Sequence, residues 1–275
     1  MATLAAVGPF GPGPFLIAGP CVLEDDRLNL MVGEHLARLA ERRGITVTYK
    51  ASFDKANRSR ADAARGPGIE DGLAALARVR SATGLRVLTD VHDATQPARA
   101  AQVADVLQVP AFLCRQTDLL VAAGRTGKPV NVKKGQWMTP EAMAGALDKV
   151  RSGGTTEVAV TERGTFFGYG DLVVDMRSFR RLREACAAPV VFDATHSVQQ
   201  PGRGEGGASG GLRDFIPTLL LAAAAAGADG FFLETHPDPD RAPSDGPNMV
   251  PLSQVDELIA RTLDVWHAAR NGGVR

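Results

Sequence analysis

The sequence is poor in cysteine, with only three in 275 residues. Cys21, Cys114 and Cys186 are too few for a disulfide framework, so we expect reduced thiols and a cytoplasmic protein. The longest apolar run, Leu219–Ala228, falls well short of the ~20 residues of a membrane-spanning helix. Residues 1–14 lack the basic start and the apolar core of a signal peptide. We therefore expect neither export nor membrane insertion.

The chain also carries no net charge, since 31 basic residues balance 31 acidic ones. A neutral chain lacks the basic field with which proteins bind nucleic acids or anionic membranes. Lysine is scarce too: only six of the basic residues are lysines, and four of these form the two short blocks Lys50/Lys55 and Lys133/Lys134. Either this clustering is chance, or lysine is kept where a compact ammonium group is required.

Short apolar runs rich in β-branched residues alternate with longer helical patterns, which predicts βαβ units and a parallel sheet. Eight runs qualify as strands: Leu16–Ala18, Val47–Lys50, Val87–Asp90, Val106–Val109, Val130–Lys133, Val158–Thr161, Val190–Asp193 and Phe231–Glu234. They predict an α/β protein, a single (β/α)8 TIM barrel over residues 1–275 with a short N-terminal extension of about 1–14. A doubly wound open sheet is the alternative, but the Gly-x-Gly-x-x-Gly fingerprint is absent.

Polar clusters follow the predicted strands, and in a parallel barrel all strand ends face one active-site end. These clusters contain six cationic side chains: Lys50, Lys55, Arg58, Arg115, Lys133 and Arg163. Such a concentration in a neutral protein predicts an anionic substrate with phosphate and carboxylate groups.

A second group of strand-end residues combines a thiol, an imidazole and two carboxylates: Cys21, His196, Glu234 and Asp245. The first and last strands of a closed barrel are neighbours, so these four positions can meet. Mixed sulfur, nitrogen and oxygen donors suit a divalent transition metal such as Zn²⁺, Fe²⁺ or Mn²⁺. Dispersed spacing alone leaves open that Cys21 is a buried apolar residue and His196 a base or a core residue.

Longer motifs carry a resemblance to a known family, and they cover the chain from about Ile17 to the last helix. These motifs are IAGPC (17–21), KASFDKANRS (50–59), PAFLCRQTDLL (110–120), NVKKGQ (131–136), TERG (161–164), FGY (167–169), LVVDMR (172–177), DATHSVQ (193–199), SGG (209–211) and ETHPDP (234–239). Together they resemble 3-deoxy-D-manno-octulosonate 8-phosphate synthase. Cys21 after Gly19-Pro20 resembles the metal-dependent class of that family, whereas the metal-independent class has Asn there.

The resemblance implies a barrel that assembles as a homotetramer and condenses phosphoenolpyruvate with arabinose 5-phosphate and water. The products are 3-deoxy-D-manno-octulosonate 8-phosphate, a precursor of the lipopolysaccharide inner core, and inorganic phosphate. It also implies one divalent metal ion, held by Cys21, His196, Glu234 and Asp245.

Residue roles carry over by position. The resemblance assigns phosphoenolpyruvate binding to Lys50, Lys55, Gln108, Ala111, Lys133, Gln136 and Arg163. It assigns arabinose 5-phosphate binding to Asn57, Arg58 and Ser59, with the Arg-Ser pair reaching across a subunit boundary. Catalytic roles fall to Lys55, Asp90, Lys133, His196 and Asp245.

Two features depart from the family pattern or leave alternatives open. Arg60 replaces a second serine beside the sugar-phosphate motif, and the Gly-rich segment Gln199–Gly211 is either a mobile lid or disordered. The rival enzyme is 3-deoxy-D-arabino-heptulosonate 7-phosphate synthase, which uses erythrose 4-phosphate and has Lys-Pro-Arg-Thr where this chain has Lys55-Ala56-Asn57-Arg58-Ser59. A non-catalytic barrel scaffold is the alternative from another class.

Overall fold

The computed structural model describes residues 8–56, 62–204 and 210–273, and eight of its strands form a closed parallel barrel in chain order. We number them β1 (Phe15–Gly19), β2 (Thr46–Lys50), β3 (Arg86–Asp90), β4 (Val106–Val109), β5 (Val130–Lys133), β6 (Val158–Glu162), β7 (Val190–Asp193) and β8 (Gly230–His236). The last strand pairs with the first, with Glu234 opposite Gly19. The predicted TIM barrel is confirmed, and the open sheet is excluded.

In the described part of the chain, eight α-helices follow the strands. They are α1 (Asp26–Arg43), α2 (Ile69–Thr83), α3 (Gln96–Ala100), α4 (Thr117–Arg125), α5 (Ala144–Ser152), α6 (Ser178–Cys186), α7 (Ile216–Ala225) and α8 (Val255–Asn271). Helix α1 shows how sequence sets the ends. The Asp25 carboxylate accepts a hydrogen bond from the Leu28 N–H at 2.8 Å, and Gly44 stops the helix in the left-handed region at φ 62°.

Side chains alternate along each strand, so the barrel has an inner and an outer apolar layer. The inner layer consists of Phe10, Phe15, Ile17, Leu88, Val106, Ala159, Val191 and Phe232. Phe10 precedes β1 and packs on Phe15 with ring centroids 5.7 Å apart, which covers the amino-terminal end of the barrel interior. The larger outer layer joins the strands to the helices. The carboxyl-terminal half of the interior is left to polar side chains.

Two short strand pairs lie at the carboxyl-terminal end of the barrel. An antiparallel hairpin, Thr165–Gly168 with Asp171–Val173, follows β6 and was not among the predicted elements. The segment predicted as a lid begins and ends in a second pair, Gln199–Gln200 with Gly210–Gly211, while residues 205–209 lie outside the described ranges. Among the helices described, none is both long and apolar enough to cross a membrane.

Candidate functional site

Three of the four predicted metal ligands meet at the seam between β1 and β8. Cys21, Glu234 and Asp245 each offer one ligand atom, and these atoms all lie within 4.8 Å of one another. The thiol of Cys21 donates a hydrogen bond to Asp245 Oδ2 at 3.2 Å. Glu234 Oε2 is buried, and no hydrogen-bond partner for it is found among the described residues. The cluster therefore presents a buried carboxylate oxygen beside a thiol and a second carboxylate, as a cation site would.

His196, the fourth predicted ligand, lies next to this group but not inside it. Its Nε2 is 3.8 Å from Glu234 Oε1. Its Nδ1 lies 2.8 Å from Asp193 Oδ2, and Asp193 Oδ1 also accepts the backbone N–H of His196. A carboxylate that holds one ring nitrogen fixes the ring orientation and directs the other nitrogen outward, as carboxylates hydrogen-bonded to metal-binding histidines do. The ring is thus aimed at the cluster.

Asp245 is held in an unusual backbone conformation. Its φ of 53° lies in the left-handed region, which few non-glycine residues adopt, although aspartate does so more readily than most. Its Oδ1 accepts a hydrogen bond from Gln199 Nε2 at 2.8 Å, and its Oδ2 accepts one from Ser244 Oγ at 2.9 Å. Backbone strain of this kind is concentrated at functional sites, which agrees with a ligand role for this carboxylate.

Two buried lysines neutralise the carboxylates. Lys50 Nζ lies 2.7 Å from Glu234 Oε1 and 3.0 Å from the Cys21 carbonyl, while Lys55 Nζ lies 3.8 Å from the same Glu234 oxygen. Burial alone would raise the pKa of Glu234, but Lys50 and Lys55 lower it below its usual value. Burial and the nearby Glu234 raise the pKa of the Cys21 thiol, so the thiolate needs a cation to stabilise it.

A second cationic group lies across the barrel on β5 and β6. Lys133 Nζ lies 2.7 Å from Asp193 Oδ2 and 3.7 Å from the centre of the Phe232 ring, and burial lowers its pKa. Arg163 donates from Nη2 to Gln199 Oε1 at 2.6 Å. Its Nη1 is buried, and the described residues offer it no partner. A buried guanidinium with a free N–H group is suited to bind an anionic oxygen.

A line of hydrogen bonds stiffens the floor of the site from β3 to β6. Ser52 Oγ and Gln108 Nε2 both donate to the Asp90 carboxylate. Asn131 Nδ2 donates to Gln108 Oε1 at 2.8 Å, and Thr161 Oγ1 donates to Asn131 Oδ1 at 2.8 Å. Every member is buried, so the amide of Gln108 is fixed in one orientation.

The structure gathers most, but not all, of the predicted residues. Those buried at the strand ends are Lys50, Lys55, Asp90, Gln108, Ala111, Lys133, Gln136 and Arg163. Arg115, which we expected in the same group, has an exposed side chain on the turn before α4. Asn57, Arg58 and Ser59 lie outside the described residues, as does Arg60.

Sequence reasoning overlooked three residues. Asp193 bridges Lys133 and His196, Gln199 bridges Arg163 and Asp245, and Phe232 lies under Lys133. Asp193 and Gln199 stand at the ends of the quoted motif DATHSVQ, so the signal was present but gave no role. Phe232 reads as an ordinary apolar strand residue, and only the closed barrel shows that it faces the site.

Comparison with known proteins finds one matching family and several similar proteins that share a name. The sequence model described as DAHP synthetase I family matches residues 11–267. A 2-dehydro-3-deoxyphosphooctonate aldolase of Bradyrhizobium diazoefficiens is 56% identical over 256 residues, covering 93% of this chain and 90% of the relative. Proteins of the same name from Rhodopseudomonas palustris and Syntrophotalea carbinolica are 56% and 54% identical over 248 and 250 residues, covering 90% and 91% of this chain and 86% and 90% of the relatives.

Proposed function

The chain belongs to the DAHP synthetase I family, and we propose that it condenses phosphoenolpyruvate with arabinose 5-phosphate and water. The products are 3-deoxy-D-manno-octulosonate 8-phosphate and inorganic phosphate. One observation carries this proposal: a set of four buried cations lies at the strand ends of a barrel whose relatives are named phosphooctonate aldolases. The four are Lys50, Lys55, Lys133 and Arg163.

The cations explain how a small, highly charged substrate is oriented. Phosphoenolpyruvate carries a carboxylate and a phosphate, and the Lys133 ammonium and Arg163 guanidinium bind such groups in a water-poor site where each contact is strong. Gln136 Oε1 is buried and, within the described residues, has no partner. Nothing therefore holds this end of the amide in place, and rotation of the amide presents the Nε2 donor to an anionic oxygen of the same ligand. Holding C3 of the enol face-on to the aldehyde carbon replaces an unfavourable collision by a fixed geometry.

The chemistry then requires charge stabilisation at two stages. As C3 bonds to the aldehyde carbon, the carbonyl π electrons move to the aldehyde oxygen, which takes up a proton. C2 becomes electron-poor, and the negative charges of the attached carboxylate and phosphate stabilise it. Water adds at C2 and gives one proton to a nearby base. The C2–O bond to phosphate then breaks, the second proton of the added water leaves, and inorganic phosphate and the C2 keto group result. His196 and Asp245 both face the Glu234 end of the site, where they can orient the aldehyde oxygen and the water.

We further propose that Cys21, Glu234, Asp245 and His196 hold one divalent metal ion. The free Glu234 Oε2 and the mixed thiol and carboxylate donors fit a transition metal better than Mg²⁺ or Ca²⁺, which prefer oxygen alone. When bound, such an ion supplies Lewis acidity and lowers the pKa of coordinated water. Asp193 positions His196 for this role by holding Nδ1.

The decisive experiment measures phosphate release from phosphoenolpyruvate with arabinose 5-phosphate or erythrose 4-phosphate, with and without a chelator. We expect turnover with arabinose 5-phosphate, loss on chelation and recovery with a divalent metal. Preference for erythrose 4-phosphate would favour the sister activity of the same family. Turnover with neither aldose would contradict the proposed function and favour a scaffold.

Assembly and location complete the proposal. We propose that the protein is a cytoplasmic homotetramer. The three free cysteines are consistent with the location. Solvent-exposed aromatic side chains on the isolated chain are consistent with the assembly. Phe167 and Tyr169 at the tip of the 165–173 hairpin are 95% and 102% exposed, and Phe112 is 53% exposed. Exposed apolar groups of this kind are typical of contact surfaces.

A further inference from the structure

Lys134 is the one member of the Lys133/Lys134 block that the proposed reaction leaves without a role. Its side chain is fully buried, and its Nζ lies 3.3 Å from Oε1 of Glu162, which is buried too. Because neighbouring strand residues point to opposite faces, Lys133 and Arg163 face the barrel interior while Lys134 and Glu162 lie behind them. Lys134 therefore cannot touch a ligand in the site.

A buried ion pair rarely stabilises a fold more than apolar side chains of the same size would. An apolar side chain could not make the polar contacts that surround Lys134. Its Nζ lies 3.4 Å from the Gly135 carbonyl and 3.5 Å from the Met138 carbonyl, both on the turn after β5. It also lies 3.4 Å from the carbonyl of Gly164, on the turn after β6, and 3.3 Å from Oγ1 of Thr165, where that turn enters the 165–173 hairpin. One ammonium group thus joins the two turns.

Glu162 completes this arrangement from the β6 side. Its Oε1 accepts the backbone N–H groups of Arg163 at 2.9 Å and of Gly164 at 2.7 Å. Gly164 has a φ of 90°, a conformation that a side chain disfavours, so the turn is sharp at the point where Arg163 leaves the strand. The Phe166 N–H donates to the Gln136 carbonyl at 3.0 Å, a further bond between the two turns.

Besides Glu234 in the metal cluster, two residues assigned to the site have a buried polar atom and, within the described ranges, no partner for it, and the two turns carry both. These atoms are Arg163 Nη1 and Gln136 Oε1. Both residues were assigned to phosphoenolpyruvate, and a long side chain binds well only when its backbone is fixed. The pair behind them is placed to fix both backbones at once.

We infer that Lys134 and Glu162 form a positioning pair that sets Arg163 and Gln136 for phosphoenolpyruvate. The inference deepens the proposed function and rests on it. The pair acts on one substrate only, because its contacts reach the turns after β5 and β6, whereas the aldose motif follows β2.

The test compares Lys134→Met, Glu162→Gln and the double variant with the wild type. Lys134→Met leaves the Glu162 carboxylate buried without its cation, which lowers stability as well as activity. The double variant removes both charges and so restores thermal stability. If the pair positions the turns, the double variant keeps a phosphoenolpyruvate half-saturation concentration raised about tenfold or more. The half-saturation concentration of arabinose 5-phosphate stays within about twofold.

Lys128→Met is the matched control, since Lys128 precedes β5 at the opposite end of the barrel from Lys134. A folded double variant whose phosphoenolpyruvate half-saturation matches the wild type, or that weakens both substrates equally, would overturn the inference. If neither Lys134→Met nor the double variant folds, Glu162→Gln decides by the half-saturation concentrations of the two substrates. This variant keeps Lys134 and an acceptor oxygen at position 162.

A second readout separates this inference from the proposed function. Phosphoenolpyruvate alone raises the melting temperature of any form that binds it, whether or not turnover follows. We expect a rise for the wild type and for Lys128→Met, and a much smaller rise for the double variant. A wild type that binds phosphoenolpyruvate but turns over neither aldose contradicts the function alone, whereas an equal rise in all forms contradicts the positioning role.

Discussion

Glu234 combines two tasks within a single carboxylate. Its Oε1 lies 2.7 Å from Lys50 Nζ, and this contact with Lys55 close by keeps the group ionised despite complete burial. Its Oε2 is buried and has no partner in the described structure, and the carboxylate offers a ligand atom within 4.8 Å of those of Cys21 and Asp245. A buried carboxylate with one oxygen compensated and the other free is a strong candidate for a metal ligand.

Cys21 provides the sharpest test at this scale. We expect Cys21→Asn to bind a divalent metal far more weakly, because losing a direct ligand should exceed the ~10–100-fold loss caused by removing an outer-shell partner. Metal content per chain, measured by mass spectrometry on dialysed protein, checks this directly. Cys186→Ala is the control, since Cys186 ends α6 in the outer apolar layer. A folded Cys21→Asn protein with wild-type metal content and chelator-sensitive turnover would show that Cys21 is not a ligand.

Secondary structure was predictable wherever apolar runs were long and regular. All eight strands lie within about two residues of their predicted bounds because β-branched residues mark buried parallel strands. The 165–173 hairpin was missed because TFFGYG shows no alternation, and its backbone turns at Phe167 and Tyr169, whose φ values are 82° and 51°. Such conformations depend on tertiary contacts that residue type does not reveal.

Helices α4 and α5 pack unusually closely at Gly124, and this contact gives a test of helix packing. A Cβ atom added there would lie 1.9 Å from the Val150 carbonyl oxygen, a backbone atom that cannot move independently. We expect Gly124→Ala to lower the free energy of unfolding by about 1–3 kcal/mol or more through overpacking. Gly145→Ala on α5 meets nothing within 4 Å and should be neutral or stabilising by up to ~1 kcal/mol. Urea unfolding of both variants measures the difference, and equal stabilities would refute the close contact.

Helices α1 and α8 are joined by Asp256, which predicts a pH dependence of stability. Burial alone would raise the pKa of Asp256, but hydrogen bonds from Arg43 and Arg42 lower it below its usual value. A carboxylate with a lowered folded-state pKa stabilises the fold above its unfolded pKa of ~3.9 and loses this contribution as pH falls through the folded pKa. The side chain is 25% exposed, so the contribution is below ~1 kcal/mol.

Asp256→Asn should therefore melt at a lower temperature than the wild type at pH 7. The gap should begin to narrow as the pH falls below about 4, where the carboxylate of the unfolded chain takes up its proton, and should close below the lowered pKa of the folded carboxylate. Asp264→Asn on the exposed face of the same helix controls for removing a negative charge from α8. A gap that stays constant between pH 7 and pH 3 would rule out the ion pairs as its cause.

Closure of the barrel determines which residues that are distant in sequence come into contact. Cys21 and Asp245 are separated by 224 positions in sequence and meet because β1 pairs with β8. The sequence could place these residues at strand ends, since the alternation of strands and helices is regular. It could not show that Asp193 holds His196 or that Gln199 links Arg163 to Asp245, because those contacts depend on side-chain directions across three strands.

The exposed hairpin tip predicts how copies of the chain associate. Phe167 and Tyr169 are almost completely exposed on the isolated chain, and burying two aromatic side chains would favour contact with another copy. We expect a Phe167→Asp/Tyr169→Asp variant to fold but to sediment as a smaller species than the wild type, for which we propose a tetramer. Ala74→Asp, on the exposed face of α2 and so on the other side of the barrel, adds a charge without touching the hairpin. Wild-type sedimentation of the hairpin variant, or dissociation of the Ala74→Asp control, would show that this tip is not the contact between subunits.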